Sequence, residues 1–281
     1  MAITIVRTVA ALRSAVAALR RGGGTIGLVP TMGALHDGHI ALVERGRREA
    51  DHVAASIFVN PTQFAVGEDL ALYPRTEAAD LARLEAAGTA LAFIPAPEEM
   101  YPAGFATTVS LAGPAAAGLE DRFRPTHFAG VATVVAKLFV QSQADIAVFG
   151  EKDYQQLMVV TRMARDLDLP IRVVGAPTVR EADGLAMSSR NRYLAPDERA
   201  AAPVLHRVLA ACARTIRGGG HAGAALAEGR EAIERAGFAL DYLEARQAES
   251  LAPLADGTGG PIRLLVAARI GKTRLIDNLG V

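Results

Sequence analysis

Ile26-Gly27-Leu28-Val29-Pro30, then Thr31-Met32-Gly33, then His36-Asp37-Gly38-His39 is the stretch on which the reading of this chain turns. An apolar strand-like run ends in a short turn and delivers two imidazoles to the start of a helical pattern. Exposed backbone N–H groups and the positive end of a helix dipole favour an anion at such a place. Gly33 and Gly38 let backbone approach it closely, and an imidazole N–H can donate to charge developing on a phosphoryl oxygen. Two other readings stay open on these residues alone. Histidines three apart can be a metal pair, although no third ligand is visible nearby, or they can be incidental polar turn residues.

Two further runs strengthen the phosphate reading. Phe149-Gly150-Glu151-Lys152-Asp153-Tyr154-Gln155-Gln156 begins where the apolar stretch 144–149 ends. Gly184-Leu185-Ala186-Met187-Ser188-Ser189-Arg190-Asn191 follows the strand-like segment 171–179 and supplies hydroxyls and a guanidinium. Arginine stays charged and binds phosphate bidentately. Open α/β sheets bind ligands at the carboxyl ends of their strands, where all three runs are expected. Lys152 is therefore a candidate phosphate ligand, and a solvated charged turn is its plainer alternative.

Together with Pro30 to His39 these segments carry a resemblance. Phe58-Val59-Asn60-Pro61-Thr62-Gln63-Phe64, Tyr73-Pro74-Arg75, Arg124-Pro125-Thr126-His127-Phe128-Ala129-Gly130-Val131, residues 150–156 and residues 187–192 occur in the order found in the pantothenate synthetase, or pantoate–beta-alanine ligase, family. The similarity runs from about Ile3 to the C-terminus and is densest over residues 30–193. The family is one of the nucleotidylyltransferases, which pair an HxGH motif with a later KMSKS-like loop; here Met187-Ser188-Ser189-Arg190 stands in that place.

The resemblance implies a reaction in which pantoate and ATP form pantoyl adenylate and pyrophosphate, after which the amine of beta-alanine displaces AMP. It implies that His39, Lys152 and Arg190 are catalytic, with His39 the proton donor. ATP would be bound by Met32, Gly33, Ala34, Leu35, His36, Asp37, Gly38 and His39, by Gly150, Glu151, Lys152 and Asp153, by Val179, and by Met187, Ser188, Ser189 and Arg190. Gln63 and Gln156 would hold pantoate, a task that suits a carboxamide because it donates and accepts at once. Gln63 would also touch beta-alanine. A homodimer is implied in the same way. His127, Asn60 and Tyr73 lie in similar segments and are given no direct ligand contact.

The chain departs from some relatives at one point. Acidic residues that contact Mg²⁺ there correspond to Ala78-Ala79-Asp80-Leu81-Ala82-Arg83, in which only Asp80 is acidic. No protein-held metal is expected, and Mg²⁺ would arrive with the ATP phosphates.

Composition agrees. The 281 residues suit about two domains, 51% hydrophobic content is ample for a packed core, and 30 Lys+Arg balance 30 Asp+Glu, so no nucleic-acid partner is implied. Cys212 is the sole cysteine and sits in a helical pattern, so no intrachain disulfide forms and a reducing cytoplasm is the natural setting. Residues 1–36 carry arginines and no acidic residue, as targeting segments do, yet Val9, Leu12, Val16 and Leu19 recur at the spacing of an ordinary amphipathic helix. No run reaches the ~18 to 20 apolar residues of a membrane span.

The pattern alternates strand and helix: strands over 3–6, 26–30, 53–59, 90–95, 144–149 and 171–179, helices over 39–50, 76–87, 131–142 and 154–166. This predicts an α/β domain with a mostly parallel sheet and helices on both faces, and the resemblance implies that it is a Rossmann-like nucleotidylyltransferase domain over residues 1–182. Thr76 reads as a helix N-cap and Gly88 as the residue past that helix's end. From about Asp183 the rhythm changes to helices over 196–217 and 222–236 and strands over 240–246, 262–267 and 274–279. That predicts a smaller α+β domain over residues 183–281, which the resemblance implies caps the active site. Residues 22–27 and 218–223 match GxGxxG as strings without its strand-then-helix context and read as turns, whereas Gly271-Lys272-Thr273, with Val266 in the place of the first P-loop glycine, reads as a strand-end charge. Residues 256–260 read as a loop.

Two other functions remain open on the sequence. A nucleotidylyltransferase with a phosphate acceptor would share the histidines and the Ser-Ser-Arg run. A non-enzymatic RNA-binding relic of a tRNA-ligase-like fold would share the architecture.

Overall fold

The computed structural model describes residues 2–64, 73–254 and 260–281. The chain divides into two compact units, Met1–Gly150 with Gln156–Ala176, and Glu151–Gln155 with Pro177–Val281. The longer segment of the second unit begins at Pro177, and the sequence rhythm changes at about residue 183. Most of loop 256–260 lies outside the described residues.

The first unit is built on β1 (Thr4–Val6), β2 (Ile26–Thr31), β3 (His52–Ile57), β4 (Leu91–Phe93), β5 (Ile146–Gly150) and β6 (Arg172–Ala176). These form a six-stranded sheet in the order β1-β4-β3-β2-β5-β6, and every pairing is parallel. Its helices are α1 (Val9–Arg20), α2 (Asp37–Glu49), α3 (Glu77–Ala86), the short α4 (Pro97–Met100) and α5 (Glu120–Phe123), α6 (His127–Ser142) and most of α7 (Tyr154–Asp166). Ile26, Leu28 and Val29 on β2 and Ala147 and Val148 on β5 are all buried, as expected of central strands covered on both faces. Val29, Val43, Val53, Leu84, Ala92 and Val148 belong to one apolar core of this unit.

Strand order reverses between β2 and β5. From β2 the chain adds β3 and β4 on one side, and from β5 it adds β6 on the other. The two central strands pair only through Gly27 with Ile146 and Leu28 with Ala147, whereas β2 runs on to Thr31 and β5 to Gly150. Pro30, which has no N–H to give a ladder, lies beyond that paired stretch. Such a reversal opens a crevice at the carboxyl ends of the strands.

The second unit contains α8 (Pro196–Ala201), α9 (Val204–Arg217), α10 (Ala222–Arg235), β7 (Ala239–Gln247), β8 (Ile262–Ile270) and β9 (Thr273–Gly280), with an antiparallel sheet in the order β7-β8-β9. The single helix expected over 196–217 is two, broken beside Pro203, whose ring cannot continue the ladder of the preceding turn. Leu205, Leu209, Cys212, Ile233, Leu243, Leu264 and Val266 form its core. Burial pushes the Cys212 thiol pKa up, as suits a core residue.

Other boundaries shift for identifiable reasons. Helix α6 starts at His127, four residues before the expected 131, and takes Gly130 into its first turn. Thr76 occupies the N-cap position of α3 without capping it; its hydroxyl donates instead to Asp80 Oδ2 at 3.1 Å. Gly88, at φ +81°, follows the end of α3 as read from the sequence. The glycines at 22–24 and 218–220 lie in turns, and Gly271, at φ +52°, turns β8 into β9.

Candidate active site

In the first unit the turn after β2 is held from behind. Gly33 and Ala34 both take positive φ, +82° and +51°, and Asp80 on α3 accepts the Ala34 N–H at 3.0 Å and the Leu35 N–H at 2.8 Å. A Cβ at Gly33 would stand 3.0 Å from Asp80 Oδ2 and 3.2 Å from Ile57, so position 33 needs glycine for space as well as for φ. Thr31 ties the turn to β3 through a hydroxyl donated to Ser56 O at 2.7 Å and accepts the Gly33 N–H at 3.2 Å. Asp80 is 2% exposed, and its oxygens face two amides and a hydroxyl. That arrangement does not fit a protein-held Mg²⁺.

The two histidines form the head of α2. The Gly38 N–H donates to His36 Nδ1 at 3.1 Å, and the His36 N–H donates to His39 Nδ1 at 3.2 Å, a capping box made of imidazoles. Their ring centroids are 4.1 Å apart. A ring nitrogen that accepts an N–H carries no proton, so each neutral imidazole keeps its proton on Nε2. The cap therefore sets the tautomer in which Nε2 is a donor. Asp37, in the first turn where the helix dipole favours an acid, pairs with Arg83 of α3.

Gln63 ends a single 3-10 turn, Pro61–Gln63, that is bound on three sides. Its Nε2 donates to Met32 Sδ at 2.8 Å, which brings together two residues named from the sequence. Asn60, 1% exposed, donates to Gln63 Oε1 and to Gly130 O, both at 3.2 Å, and its Oδ1 accepts the Tyr101 hydroxyl at 2.7 Å and the Thr62 hydroxyl at 3.0 Å. Gln63 O lies 3.0 Å from His127 Nδ1 and accepts from Arg124 at 3.2 Å. Helix α6 approaches so closely that a Cβ at Gly130 would press into the Thr62 carbonyl and lie 2.8 Å from Gln63 N. Gln156 stands half-buried on the first turn of α7.

The other named residues lie in the second unit, apart from Gly150, the last residue of β5. Glu151–Asp153 is a 3-10 turn entered directly from Gly150. The Glu151 carboxylate pairs with Arg263 of β8 at 3.0 Å, and Lys152 Nζ lies 3.8 Å from Asp153. Val179 and Met187 join across a small hairpin, in which the Met187 N–H donates to Val179 O at 2.9 Å and Arg180 bridges Ala186. Ser188 Oγ accepts the Arg190 N–H at 3.3 Å and so caps the turn Ser189–Tyr193.

Tyr101 and Arg263 take part in this framework without any local sequence signal for that part. Nothing in the spacing of Asp80 reveals its bonds to residues 34 and 35, because the contact spans more than forty positions. Among the described residues no group of three or more His, Cys, Asp or Glu could hold a metal ion, and no helix is long and apolar enough to cross a membrane.

Comparison with known proteins gives a consistent result. A family model described as pantoate-beta-alanine ligase matches residues 4–280. The chain is 60% identical over 277 residues to pantothenate synthetase of Rhodopseudomonas palustris strain HaA2, covering 99% of this chain and 98% of that protein. Similar identity, 60% over 277 residues, holds for the pantothenate synthetase of Bradyrhizobium sp. strain BTAi1, again with 99% and 98% coverage. Among solved structures, pantothenate synthetase from Thermus thermophilus superposes with a TM-score of 0.92 at 54% identity, covering 99% of both chains. A pantoate-beta-alanine ligase from Francisella tularensis, complexed with beta-gamma ATP and beta-alanine, superposes with a TM-score of 0.83 at 33% identity, covering 99% of this chain and 97% of that one.

Proposed function

This chain belongs to the pantoate–beta-alanine ligase family, and from that premise we infer that it condenses (R)-pantoate with beta-alanine to pantothenate at the expense of ATP, by way of pantoyl adenylate. A carboxylate is a poor acylating agent. In the first step a pantoate carboxylate oxygen attacks the α-phosphorus of ATP, and the bond to the bridging oxygen breaks to release pyrophosphate. In the second the beta-alanine amine attacks the acyl carbon, AMP leaves with the carbon–oxygen electron pair, and the amine gives up a proton. Catalysis of the first step is chiefly positioning and neutralisation of phosphoryl charge.

Residue roles follow from this reading. His39, its Nδ1 occupied by the helix cap, donates from Nε2 to phosphate oxygen, with His36 beside it. Lys152 and Arg190 bear on the phosphates. Residues 32–39, 150–153 and 187–190 with Val179 bind ATP, while Gln63 and Gln156 hold pantoate and Gln63 touches beta-alanine. Mg²⁺ enters with the triphosphate and not on Asp80, whose oxygens are committed to the turn. A homodimer in the cytoplasm completes the proposal, and sedimentation at micromolar concentration checks the dimer.

The observation that supports the chemistry most directly is the imidazole capping box, because it fixes two imidazoles by their Nδ1 atoms at a helix N-terminus beside the sheet's reversal point. The test is exchange of labelled pyrophosphate into ATP with pantoate present and beta-alanine absent. Exchange dependent on pantoate is expected, since the adenylate must form reversibly before the amine arrives. Exchange only with a phosphorylated acceptor would point to a different nucleotidylyltransferase, and salt-dependent RNA binding with no exchange would remove the enzyme reading.

A further inference from the structure

Two neighbouring residues on the last strand, neither of them assigned a role above, hold both polar runs of the second unit. Asp277 and Asn278 of β9 are 4% and 3% exposed. Successive side chains leave a strand on opposite faces, and here each face is put to use. Asp277 accepts both arms of the Arg180 guanidinium, Nη1 at 2.6 Å and Nη2 at 2.9 Å. Arg180 also donates to Gly184 O at 3.0 Å, across the hairpin that leads into Met187-Ser188-Ser189-Arg190. Asn278 Nδ2 donates to Glu151 O and to Lys152 O, both at 2.8 Å, while its Oδ1 accepts from Arg263. Arg263 in turn pairs with Glu151 and lies over the Tyr154 ring, 4.0 Å from its centroid.

We infer that Asp277 and Asn278 are positioning residues for ATP: by fastening the Glu151–Asp153 turn and the Arg180–Ala186 hairpin to one strand, they fix the Lys152 and Arg190 side chains as parts of one rigid body. The inference rests on the proposed phosphate roles of Lys152 and Arg190. The Glu151–Asp153 turn has no ladder of its own, and what ties it to the antiparallel sheet is the two carbonyl bonds from Asn278 together with the Glu151–Arg263 pair. Charge aimed at a triphosphate loses its effect when it is misplaced by about 1 Å, which can cost on the order of 10²-fold in rate. The bidentate pair of half-buried Arg180 with buried Asp277 supplies the corresponding constraint for the second run.

Asn278→Asp is the sharpest probe. It keeps the shape and the acceptor toward Arg263 but turns an oxygen toward two carbonyl oxygens. Pantoate-dependent pyrophosphate exchange is measured for Asn278→Asp, Asn278→Ala and Asp277→Asn, with Lys152→Ala as benchmark and circular dichroism to establish folding. The expected result is a fall of about 10- to 10²-fold in kcat/KM for ATP with the KM for pantoate unchanged. A merely structural role would lower the active fraction and leave both KM values alone, and that outcome overturns the inference. If Lys152→Ala is itself unimpaired, the phosphate reading fails first. Hydrogen exchange on the unmodified protein decides the case should the variants not fold. The Glu181 and Met187 amides, which close the hairpin, are then expected to exchange at the rate of the β9 amides, and independent faster exchange overturns the inference.

Discussion

At the scale of single residues, the side chains that would touch ligand are distinguished from their neighbours by how their backbone is held. His39 and Lys152 each offer a donor. Replacing either by alanine is expected to reduce adenylation by about 10²–10³-fold, the worth of one preorganised charge-stabilising donor. His39→Ala also deletes half the imidazole cap and is expected to lower stability by about 0.5–2 kcal/mol, whereas Lys152→Ala removes no cap. Steady-state assays beside thermal melts separate the two effects. Asp80 behaves differently, because its carboxylate is buried against two amides and a hydroxyl. Asp80→Asn turns an NH₂ toward at least one donor and weakens hydrogen bonds to a charged group, each worth about 1.5–3 kcal/mol. A lower melting temperature with an unchanged Mg²⁺ requirement is expected, and a large rise in the Mg²⁺ needed for half activity would show that the carboxylate holds the ion. The chemistry-bearing residues are legible as types in the sequence: imidazoles at a helix start, lysine after a strand, serines before arginine. Their supports are less so, since Asp80 and Asn278 act across tens of positions, while Asn60 holds Gln63 locally but is itself anchored to Tyr101 and Gly130 far along the chain.

At the scale of elements, most strands and helices follow from hydrophobic period and turn residues, and the exceptions each have a competing interaction behind them. The strand expected over 171–179 stops at Ala176 because Pro177 cannot continue it, and the released segment becomes the hairpin that carries Val179 and Met187. The close approach of α6 to the Gln63 turn is hidden for a different reason. Gly130 falls just before the helix expected from 131, and only its neighbours in space show why a side chain there has no room. Gly130→Ala would drive a methyl into the Thr62 carbonyl and to 2.8 Å from Gln63 N. Overpacking of this kind costs about 1–3 kcal/mol. Because the displaced element is the one bearing Gln63, the KM for pantoate is expected to rise while that for ATP stays near its original value. Calorimetric titration with each ligand checks this, and equal losses for both would mean that α6 supports the whole unit and not the Gln63 turn.

At the scale of the whole molecule, the described residues include an apolar core within each unit, one drawn from residues 29–176 and the other from residues 185–275, with no residue in common. Cooperative unfolding follows cores, so calorimetry is expected to resolve two transitions, and pH should tell them apart. His206 on α9 has its pKa lowered, first by burial and then by the Arg180 guanidinium, with Asp277 opposing at 4.0 Å. Its folded value therefore lies below the ordinary imidazole value of about 6.5. As pH falls through that value the unfolded chain takes up a proton that the folded chain refuses, so stability is lost between about pH 6.5 and the lower folded pKa, and none is lost above it. The Asp183 carboxyl, held low first by its hydrogen bond from Arg199, releases its contribution only below the ordinary carboxylate value of about 3.9. Between pH 7 and pH 5 the transition of the second unit should move to lower temperature, and His206→Gln should flatten that movement without altering the transition of the first unit. An equal shift of both transitions in the variant would place the acid sensitivity elsewhere and would make the unfolding of the two cores a single event.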